Sequence, residues 1–179
     1  MRNLLPNLTI FDKEVRFIRY GETEMKIQRT FIMLKPDAVQ RGLVGEVLQR
    51  FEKRVMKIVA MKMIRVTEEL AEKHYAEHVG KKFYPELLRY ITSGPIIVAV
   101  IEGRDAVQQV RKMIGSTLPS EAAIGTVRAD YGQELPLNII HASDSSESAK
   151  REIGLYFNKS ELLDYTLDYE KWVLAYGED

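Results

Sequence analysis

The apolar run at residues 96–101, IIVAVI, is the feature that most constrains how this chain can fold. It follows Ser93-Gly94-Pro95 and is much shorter than the roughly 20 residues that a membrane-spanning helix needs. A short apolar run of this kind, rich in β-branched residues, is typical of a strand buried on both faces. The run therefore predicts a strand inside a sheet that is covered on both sides.

The segments around this strand alternate between strand and helix patterns. Bulky or alternating residues predict further strands at 30–35, 57–66 and 137–142. Helical spacing and capping signals predict helices at 42–54, 67–78, 83–91, 104–114 and 144–157, with an irregular stretch at 115–132. This order predicts an α/β fold, namely an α+β sandwich of the ferredoxin-like βαββαβ kind with a four-stranded antiparallel sheet.

Charge and composition exclude several classes of function. The chain has 26 basic and 26 acidic side chains, so no overall field favours nucleic acid or an anionic membrane surface, and we expect neither as a partner. It has no cysteine, which excludes disulfides, thiolate metal sites and cysteine nucleophiles. No apolar stretch has the length of a signal peptide or membrane span, so a cytoplasmic protein is expected.

One histidine stands where the last predicted strand meets the last predicted helix. The sequence NIIHASDS places His141 among small residues, and Asp144 and Glu147 are predicted to cap the helix. The amide end of a helix attracts anions, and a neutral imidazole is a nucleophile. An accessible histidine beside an anion site is what phosphoryl transfer through a phosphohistidine requires.

Two further residues are placed to orient this imidazole. Glu152 lies about two turns into the helix, and helical side chains lean toward the N-terminus, so it could bond one ring nitrogen of His141 and leave the other free. Ser143 could bridge the two residues. Spacing alone leaves open the alternative that His141 is a structural histidine and Glu152 a solvated helix charge.

A phosphate-transferring enzyme must also hold its nucleotide. The chain has neither a P-loop nor a GxGxxG motif, so charge would have to come from side chains, of which Lys35, Arg111 and Arg128 are the candidates. Taken singly, each could equally be a solvated surface cation. Lys35 fits this alternative least, because it closes a buried strand.

A second motif suggests a different chemistry. His74, Glu77 and His78 fit the H-x-x-E-H pattern of some zinc peptidases, with Glu147 or Glu152 as a third ligand. The pattern is short and occurs by chance, so a zinc peptidase is kept only as a remote alternative.

Four separated stretches resemble a known family. They are NIIHASDS, RTFIMLKPDAVQRGLVGEV, HYAEH followed by FYPELLRYITSGP, and GTVRADYG. Together they resemble the nucleoside diphosphate kinases, without obvious gaps from Arg29 to about Phe157 and more loosely to Trp172. The resemblance implies a ping-pong enzyme that moves the γ-phosphate of a nucleoside triphosphate, typically ATP, to a nucleoside diphosphate.

The resemblance also implies roles for individual residues. His141 matches the phosphorylated histidine, Glu152 and Ser143 match its orienting partners, and Tyr75 matches a residue packed beside it. The positions that match nucleotide-holding residues are Lys35, Arg111, Thr117 and Arg128 for the phosphates, Asn138 near the sugar and phosphates, and Phe83 and Leu87 for the base. Because all of these are present, a catalytically idle nucleotide-binding scaffold of the same fold is the weaker alternative.

Partners follow from the same resemblance. Nucleoside di- and triphosphates are the expected substrates, and Mg²⁺ is the expected cofactor, bridged by nucleotide phosphates with no side-chain ligand predicted. The expected assembly is a homo-oligomer, a hexamer or tetramer built from dimers. Three departures from common family residues are Ala142, Ile124 and Leu137; Ile124 lies in a loop that commonly makes subunit contacts.

The two ends extend beyond the kinase module predicted at 29–157. Residues 1–28 form an N-terminal extension in which two short strands are predicted around Asp12-Lys13-Glu14. Residues 158–179 form an acidic extension predicted to pack on the domain. Its aromatic rings, which are expected to be buried, are Tyr165, Tyr169, Trp172 and Tyr176.

Overall fold

The computed structural model describes residues 16–20, 23–168 and 172 of the 179-residue chain. The strands are β1 (Arg16–Tyr20), β2 (Thr23–Leu34), β3 (Lys57–Arg65), β4 (Pro95–Arg104) and β5 (Ile140–Ala142). The α-helices are α1 (Pro36–Gln40), α2 (Val44–Lys53), α3 (Glu68–His74), α4 (Tyr84–Thr92), α5 (Ala106–Ile114), α6 (Val127–Tyr131) and α7 (Ser146–Tyr156). Among the described residues, no helix has both the length and the apolar character that a membrane crossing would require.

The strands form one antiparallel sheet. Its central order is β5-β2-β4-β3, and β1 pairs with the first residues of β2 on the side that β5 occupies further along. The register places Phe31 opposite Val100 and Met33 opposite His141. A four-stranded antiparallel sheet with helices confirms the predicted ferredoxin-like α+β sandwich.

The sheet is covered on both faces, as the sequence of β4 predicts. Alternate residues of β4 enter two separate clusters, with Ile97, Ala99 and Ile101 packing on the side of α2 and α5. Ile96, Val98 and Val100 pack on the side of α3, α4 and α7. These six side chains are all buried, which explains why no polar residue interrupts the run.

Two predicted strand boundaries are wrong. The strand predicted to begin at residue 30 begins at Thr23, because its first residues pair with β1. The strand predicted at 137–142 contains only 140–142. Ile139 has a φ of 71°, in the left-handed region that a strand cannot accommodate, so the ladder starts one residue later.

The predicted helices are present, but their ends differ from prediction. The helix predicted at 67–78 is capped by Thr67, whose hydroxyl accepts from the Leu70 amide, yet it ends at His74 and a separate 3₁₀ turn covers 76–78. Arg104 is the last residue of β4, so the next helix begins at Ala106. Residues 119–121 and 127–131 form helical turns in the stretch that was predicted to be irregular.

The predicted cap of the last helix is also wrong. Ser145, not Asp144, is the N-cap of α7, and Ser148 rather than Glu147 completes the capping box. The Ser145 hydroxyl accepts from the Ser148 amide at 3.0 Å, and the Ser148 hydroxyl accepts from the Ser145 amide at 3.0 Å. A hydroxyl at the third helical position can close the box in place of a carboxylate because both only need to accept this bond.

The C-terminal segment follows the outer edge of β3. The Leu163 amide donates to the Val59 carbonyl at 2.9 Å, and the Tyr165 hydroxyl donates to the Ile58 carbonyl at 2.7 Å. Trp172 is 81% exposed, so the expectation that its ring is buried in this chain is wrong. Tyr169, Tyr176 and the turn predicted around 12–14 lie outside the described residues, and the domain boundaries at 28/29 and 157/158 remain predictions.

Candidate active site

A cavity of about 520 Å³ brings together residues from most parts of the chain. It is bordered by β5, the first turn of α7, the end of α3, and the loops around α4 and α6. Ten of the eleven predicted site residues line it, namely Lys35, Tyr75, Phe83, Leu87, Arg111, Thr117, Arg128, Asn138, His141 and Glu152. Ser143, the eleventh, lies behind His141 and is fully buried.

His141 and Glu152 are in direct contact. The Nε2 atom of His141 lies 2.9 Å from Oε2 of Glu152, and the Ser143 hydroxyl donates to the same oxygen at 2.7 Å. Glu152 is 3% exposed, whereas the His141 side chain is 25% exposed and faces the cavity. This arrangement fixes one ring nitrogen and leaves Nδ1 as the nitrogen available for chemistry.

Lys35 lies at the end of β2 with its charge turned into the cavity. Its ammonium donates to Oδ1 of Asn138 at 2.5 Å and to the Pro136 carbonyl at 3.3 Å. Burial, and next the neighbouring Arg128 guanidinium, lower the pKa of Lys35 to about 7. Both hydrogen-bond acceptors of this ammonium are neutral, so an anionic ligand in the cavity would stabilise its charged form.

Two arginines complete a cationic wall. Arg128 is 3% exposed and donates to the carbonyls of Gly115, at 2.9 Å, and Ile140, at 2.7 Å. Burial and the nearby Arg111 lower the pKa of Arg128 to about 10, which still leaves it charged at neutral pH. Three basic side chains around one cavity, two of them buried with lowered pKa values, are typical of a polyphosphate site.

The remaining predicted residues lie around this wall and at the mouth of the cavity. The Asn138 amide donates to the Thr117 carbonyl at 2.8 Å, which fixes the loop before α6. Phe83 is 49% exposed at the start of α4, and Leu87, one turn later, is buried. Both side chains line the same cavity as Lys35, Arg111 and Arg128.

Comparison with known proteins identifies the family. A sequence model described as nucleoside diphosphate kinase matches residues 28–162.

The chain belongs to the nucleoside diphosphate kinase family.

It is therefore a phosphotransferase that acts between nucleoside tri- and diphosphates by the ping-pong mechanism of that family. A nucleoside diphosphate kinase of Pelotomaculum thermopropionicum is 55% identical over 147 residues, which is 82% of this chain and 99% of the relative. A halophilic nucleoside diphosphate kinase of Halobacterium salinarum, solved in complex with CDP, has a TM-score of 0.81 at 47% identity and matches 83% of this chain and 99% of its own.

A third relative was solved in a different state. The nucleoside-diphosphate kinase of Borrelia burgdorferi, described as a transition state mimic with bound vanadate and ADP, has a TM-score of 0.77 at 37% identity. The match covers 80% of this chain and 95% of that protein. The full length of the kinase fold is thus present in this chain, with additional residues outside it.

The H-x-x-E-H pattern does not form a metal site in this kinase. Its first histidine, His74, is the last residue of α3, and His78 lies in the separate 3₁₀ turn, so the two do not share a helix face. Within residues 16–20, 23–168 and 172, three potential ligands come together at His74, His141 and Glu152. The zinc-peptidase alternative is therefore wrong for this pattern.

His74 is a site residue whose place the sequence did not reveal. It is 2% exposed, and its ring lies edge-on to that of His141 with 4.7 Å between ring centroids. Neither of its ring nitrogens has a hydrogen-bond partner. Burial, and to a lesser extent His141, hold the pKa of His74 well below its usual range, so the ring is neutral.

Asp37 is a second residue that sequence reasoning missed. Its Oδ2 atom accepts from the Ile139 amide at 3.1 Å, and its Oδ1 atom accepts from the Tyr90 hydroxyl at 2.5 Å. Ile139 has a positive φ, which is strained for a β-branched residue, and it stands two residues before His141. Asp37 therefore anchors the strained turn from which β5 begins. A sequence signal was available in the Lys-Pro-Asp that directly follows β2.

Of the three departures from common family residues, Ala142 borders the cavity beside His141, whereas Ile124 and Leu137 lie outside it. Ala142 is buried in β5 opposite Ile32, where its methyl group is accommodated. Ile124 is 100% exposed and Leu137 is 42% exposed. Neither Ile124 nor Leu137 lines the cavity.

Proposed function

We propose that Nδ1 of His141 carries the phosphoryl group in this kinase. In the first half-reaction, Nδ1 attacks the γ-phosphorus of a nucleoside triphosphate, the bond from that phosphorus to the bridging oxygen breaks, and the nucleoside diphosphate leaves. In the second, a terminal oxygen of another nucleoside diphosphate attacks the same phosphorus, and the nitrogen–phosphorus bond breaks. The observation that carries this proposal is the 2.9 Å contact of Nε2 with Glu152, which leaves Nδ1 to react.

Glu152 and Ser143 act as orienting residues in this proposal. The buried carboxylate of Glu152 accepts from Ser143 and holds the imidazole at Nε2. When Nδ1 becomes bonded to phosphorus, the ring gains positive charge, which a carboxylate at Nε2 stabilises. Tyr75 packs beside these groups, and burial raises the pKa of its hydroxyl, so it remains protonated.

Lys35, Arg111 and Arg128 would hold the phosphates. Phosphoryl transfer depends mainly on positioning and on neutralising charge around the transferred group, and these three cations line the cavity that His141 faces. Asn138 and Thr117 border the same region and would contact sugar and phosphate oxygens. The bond from Lys35 to Asn138 couples the position of the two side chains.

Phe83 and Leu87 would clamp the base. An aromatic face and an aliphatic side chain contact any base, because every base has a π-face, so we propose a broad nucleotide range. The Halobacterium relative was solved with CDP and the Borrelia relative with ADP, which agrees with a site that takes both pyrimidines and purines.

We also propose that Mg²⁺ enters with the nucleotide. Mg²⁺ prefers oxygen ligands, whereas the described three-ligand cluster contains two imidazoles, so the residues fit an ion held by phosphate oxygens rather than by a side-chain cage. When bound, Mg²⁺ neutralises phosphate charge and aligns the phosphates.

A homo-oligomer built from dimers, tetramer or hexamer, is proposed as the assembly, and the cytoplasm as its location. Met61 and Met63 support the assembly, because both side chains are more than half exposed on β3. The C-terminal segment bonds to the outer edge of β3 at Ile58 and Val59, and no described strand pairs with that edge. Exposed apolar side chains at a sheet edge favour association with a second copy.

Initial-rate kinetics test the proposal. Rates measured while ATP and GDP are varied independently should give parallel double-reciprocal lines, and His141→Asn should abolish the transfer while nucleotide binding is retained. Intersecting lines, or full activity in His141→Asn, would exclude a phosphoenzyme at this residue. His78→Asn is the matched control, because His78 also lines the cavity and its side chain is as exposed, at 26%, as that of His141.

A further inference from the structure

Three side chains at the floor of the cavity form a set that phosphoryl transfer does not fully use. One ligand atom from each of His74, His141 and Glu152 lies within 4.8 Å of the other two. His74 is buried, borders the cavity and has no hydrogen-bond partner at either ring nitrogen. A buried polar group without a partner is uncommon, and here one nitrogen of the His74 ring is close enough to the other two side chains to share a ligand with them.

We propose that His74, His141 and Glu152 form a binding site for a borderline divalent transition metal such as Zn²⁺. The bound ion would block phosphoryl transfer, and this second part rests on the proposed role of His141.

The ligand types select the metal. Two imidazole nitrogens and one carboxylate oxygen are a known zinc ligand set, which leaves a fourth position open toward the cavity. Imidazole suits zinc, copper and nickel, whereas Mg²⁺ and Ca²⁺ require oxygen ligands. The Mg²⁺ that accompanies the nucleotide would therefore not compete effectively for this position.

The geometry requires only a small adjustment. His141 and Glu152 are already 2.9 Å apart, a separation that ligands of one ion commonly show. Zinc binds nitrogen at about 2.0–2.1 Å, so the imidazole of His74 must turn toward the other two ligands. That movement breaks no hydrogen bond of His74, because its ring makes none.

The chemical consequence follows from which groups the ion occupies. Coordination at Nε2 replaces the contact between Nε2 of His141 and Glu152, and the proton of the neutral imidazole then resides on Nδ1. Nδ1 therefore has no free lone pair with which to attack phosphorus. Glu152 is also taken from its orienting role, so one ion disables two members of the site.

The composition of the chain makes the site easy to test. The chain has three histidines and no cysteine, so His78 is the one imidazole outside the proposed ligand set. His78 also belongs to the H-x-x-E-H pattern, but it is not part of the three-ligand cluster. His78→Gln is therefore a matched control for His74→Gln.

The test is a titration of the full chain with Zn²⁺ in competition with a chromophoric chelator, in excess Mg²⁺ and without nucleotide. We expect one Zn²⁺ per chain, an affinity lower by at least about tenfold in His74→Gln and in His141→Gln, and no change in His78→Gln. Wild-type affinity in His74→Gln, or a loss confined to His78→Gln, would overturn the proposal. If His74→Gln does not fold, His141→Gln decides the result, because His141 is partly exposed on a short strand.

A second measurement separates this inference from the proposed function. Formation of phosphoenzyme from labelled ATP is followed with and without one equivalent of Zn²⁺. Inhibition in the wild type that is relieved by a chelator and absent in His74→Gln supports the metal site. Normal phosphoenzyme formation with no Zn²⁺ binding overturns the metal site alone, whereas Zn²⁺ binding without any phosphoenzyme overturns the role of His141 and leaves the metal site intact.

Discussion

Oε2 of Glu152 accepts the hydroxyl of Ser143 at 2.7 Å and lies 2.9 Å from Nε2 of His141, although Glu152 stands eleven residues after the histidine. Helix α7 brings the carboxylate back to the strand that carries the imidazole. One buried oxygen thus fixes the ring orientation, and this relationship underlies the reaction proposed for Nδ1.

Removing the carboxylate tests this relationship. Glu152→Ala should lower kcat by about 10- to 100-fold, as loss of an orienting partner does elsewhere, while KM changes little because Glu152 holds the histidine and not the nucleotide. Steady-state rates with ATP and dTDP measure the effect. Glu147→Ala, an exposed change on the same helix, is the control and should behave as wild type; an equal loss in both variants would point to helix stability instead.

If Phe83 stacks on the base, removing its ring should weaken the binding of every nucleotide to a similar extent, whatever the base. Phe83→Ala should raise KM by about tenfold for ATP, GTP and CTP alike, because one stacking face is removed from each complex. The nearby Val79→Ala, which changes an exposed apolar side chain that does not line the cavity, is the control. A loss restricted to one nucleotide would show that Phe83 reads a base edge rather than stacking.

Lys35 predicts a pH dependence of nucleotide binding. Its pKa is lowered to about 7 by burial and Arg128, so in the free protein the ammonium is charged below pH 7 and loses its charge as the pH rises above it. The affinity for ADP, measured by calorimetry, should therefore fall between pH 6 and pH 9, with proton uptake on binding near pH 8. Lys35→Arg should flatten this profile; an unchanged slope in that variant would assign the titration to another group.

The same pKa has a consequence for stability. Because the folded pKa of Lys35 lies below its unfolded value of 10.5, the unfolded chain binds more protons between these two values. The contribution of Lys35 to the free energy of unfolding should then rise with pH from about 7 to about 10.5. Urea unfolding of wild type and Lys35→Met across this range measures it, and the slope should be smaller in the variant.

The two bonds accepted by Asp37 should affect the free energy of unfolding and kcat differently. Asp37→Ala removes the acceptor of both the Ile139 amide and the Tyr90 hydroxyl and should cost about 3 kcal/mol of unfolding free energy. Tyr90→Phe removes only one of these bonds and should cost about 1.5 kcal/mol. Urea unfolding measures both. Only Asp37→Ala should also lower kcat, since it frees the strained turn before β5; equal effects on kcat would contradict this assignment.

The sequence predicted the fold well where pattern and burial agree. The run at 96–101 is buried on both faces, and the buried residues Val47, Leu48 and Phe51 keep their helical spacing in α2. Strand boundaries were predicted wrongly where the local sequence pattern and the backbone geometry disagree. Residues 138–140, NII, have a strand pattern, yet β5 begins only at Ile140 because Ile139 has a positive φ. The bond from the Ile139 amide to Asp37 overrides the β preference of isoleucine.

The sequence predicted which residues line the cavity, but it did not predict that the buried His74 lies beside His141. The resemblance named residues that the structure places around one cavity. The H-x-x-E-H pattern groups His74 with His78, because it suggests one continuous helix, whereas the structure ends the helix at His74 and places His74 beside His141. Which histidine meets Glu152 depends on packing between α3, β5 and α7, and short motifs do not encode such long-range packing.

Formation of a phosphoenzyme shows whether His141 carries the phosphoryl group. The protein is mixed with γ-labelled ATP and Mg²⁺ without acceptor, isolated, and then chased with GDP, alongside His141→Asn and His78→Asn. We expect an acid-labile, base-stable label on wild type and His78→Asn, no label on His141→Asn, and release of the label as GTP. Label on folded His141→Asn, or no label on wild type that still binds nucleotide, would contradict this role of His141.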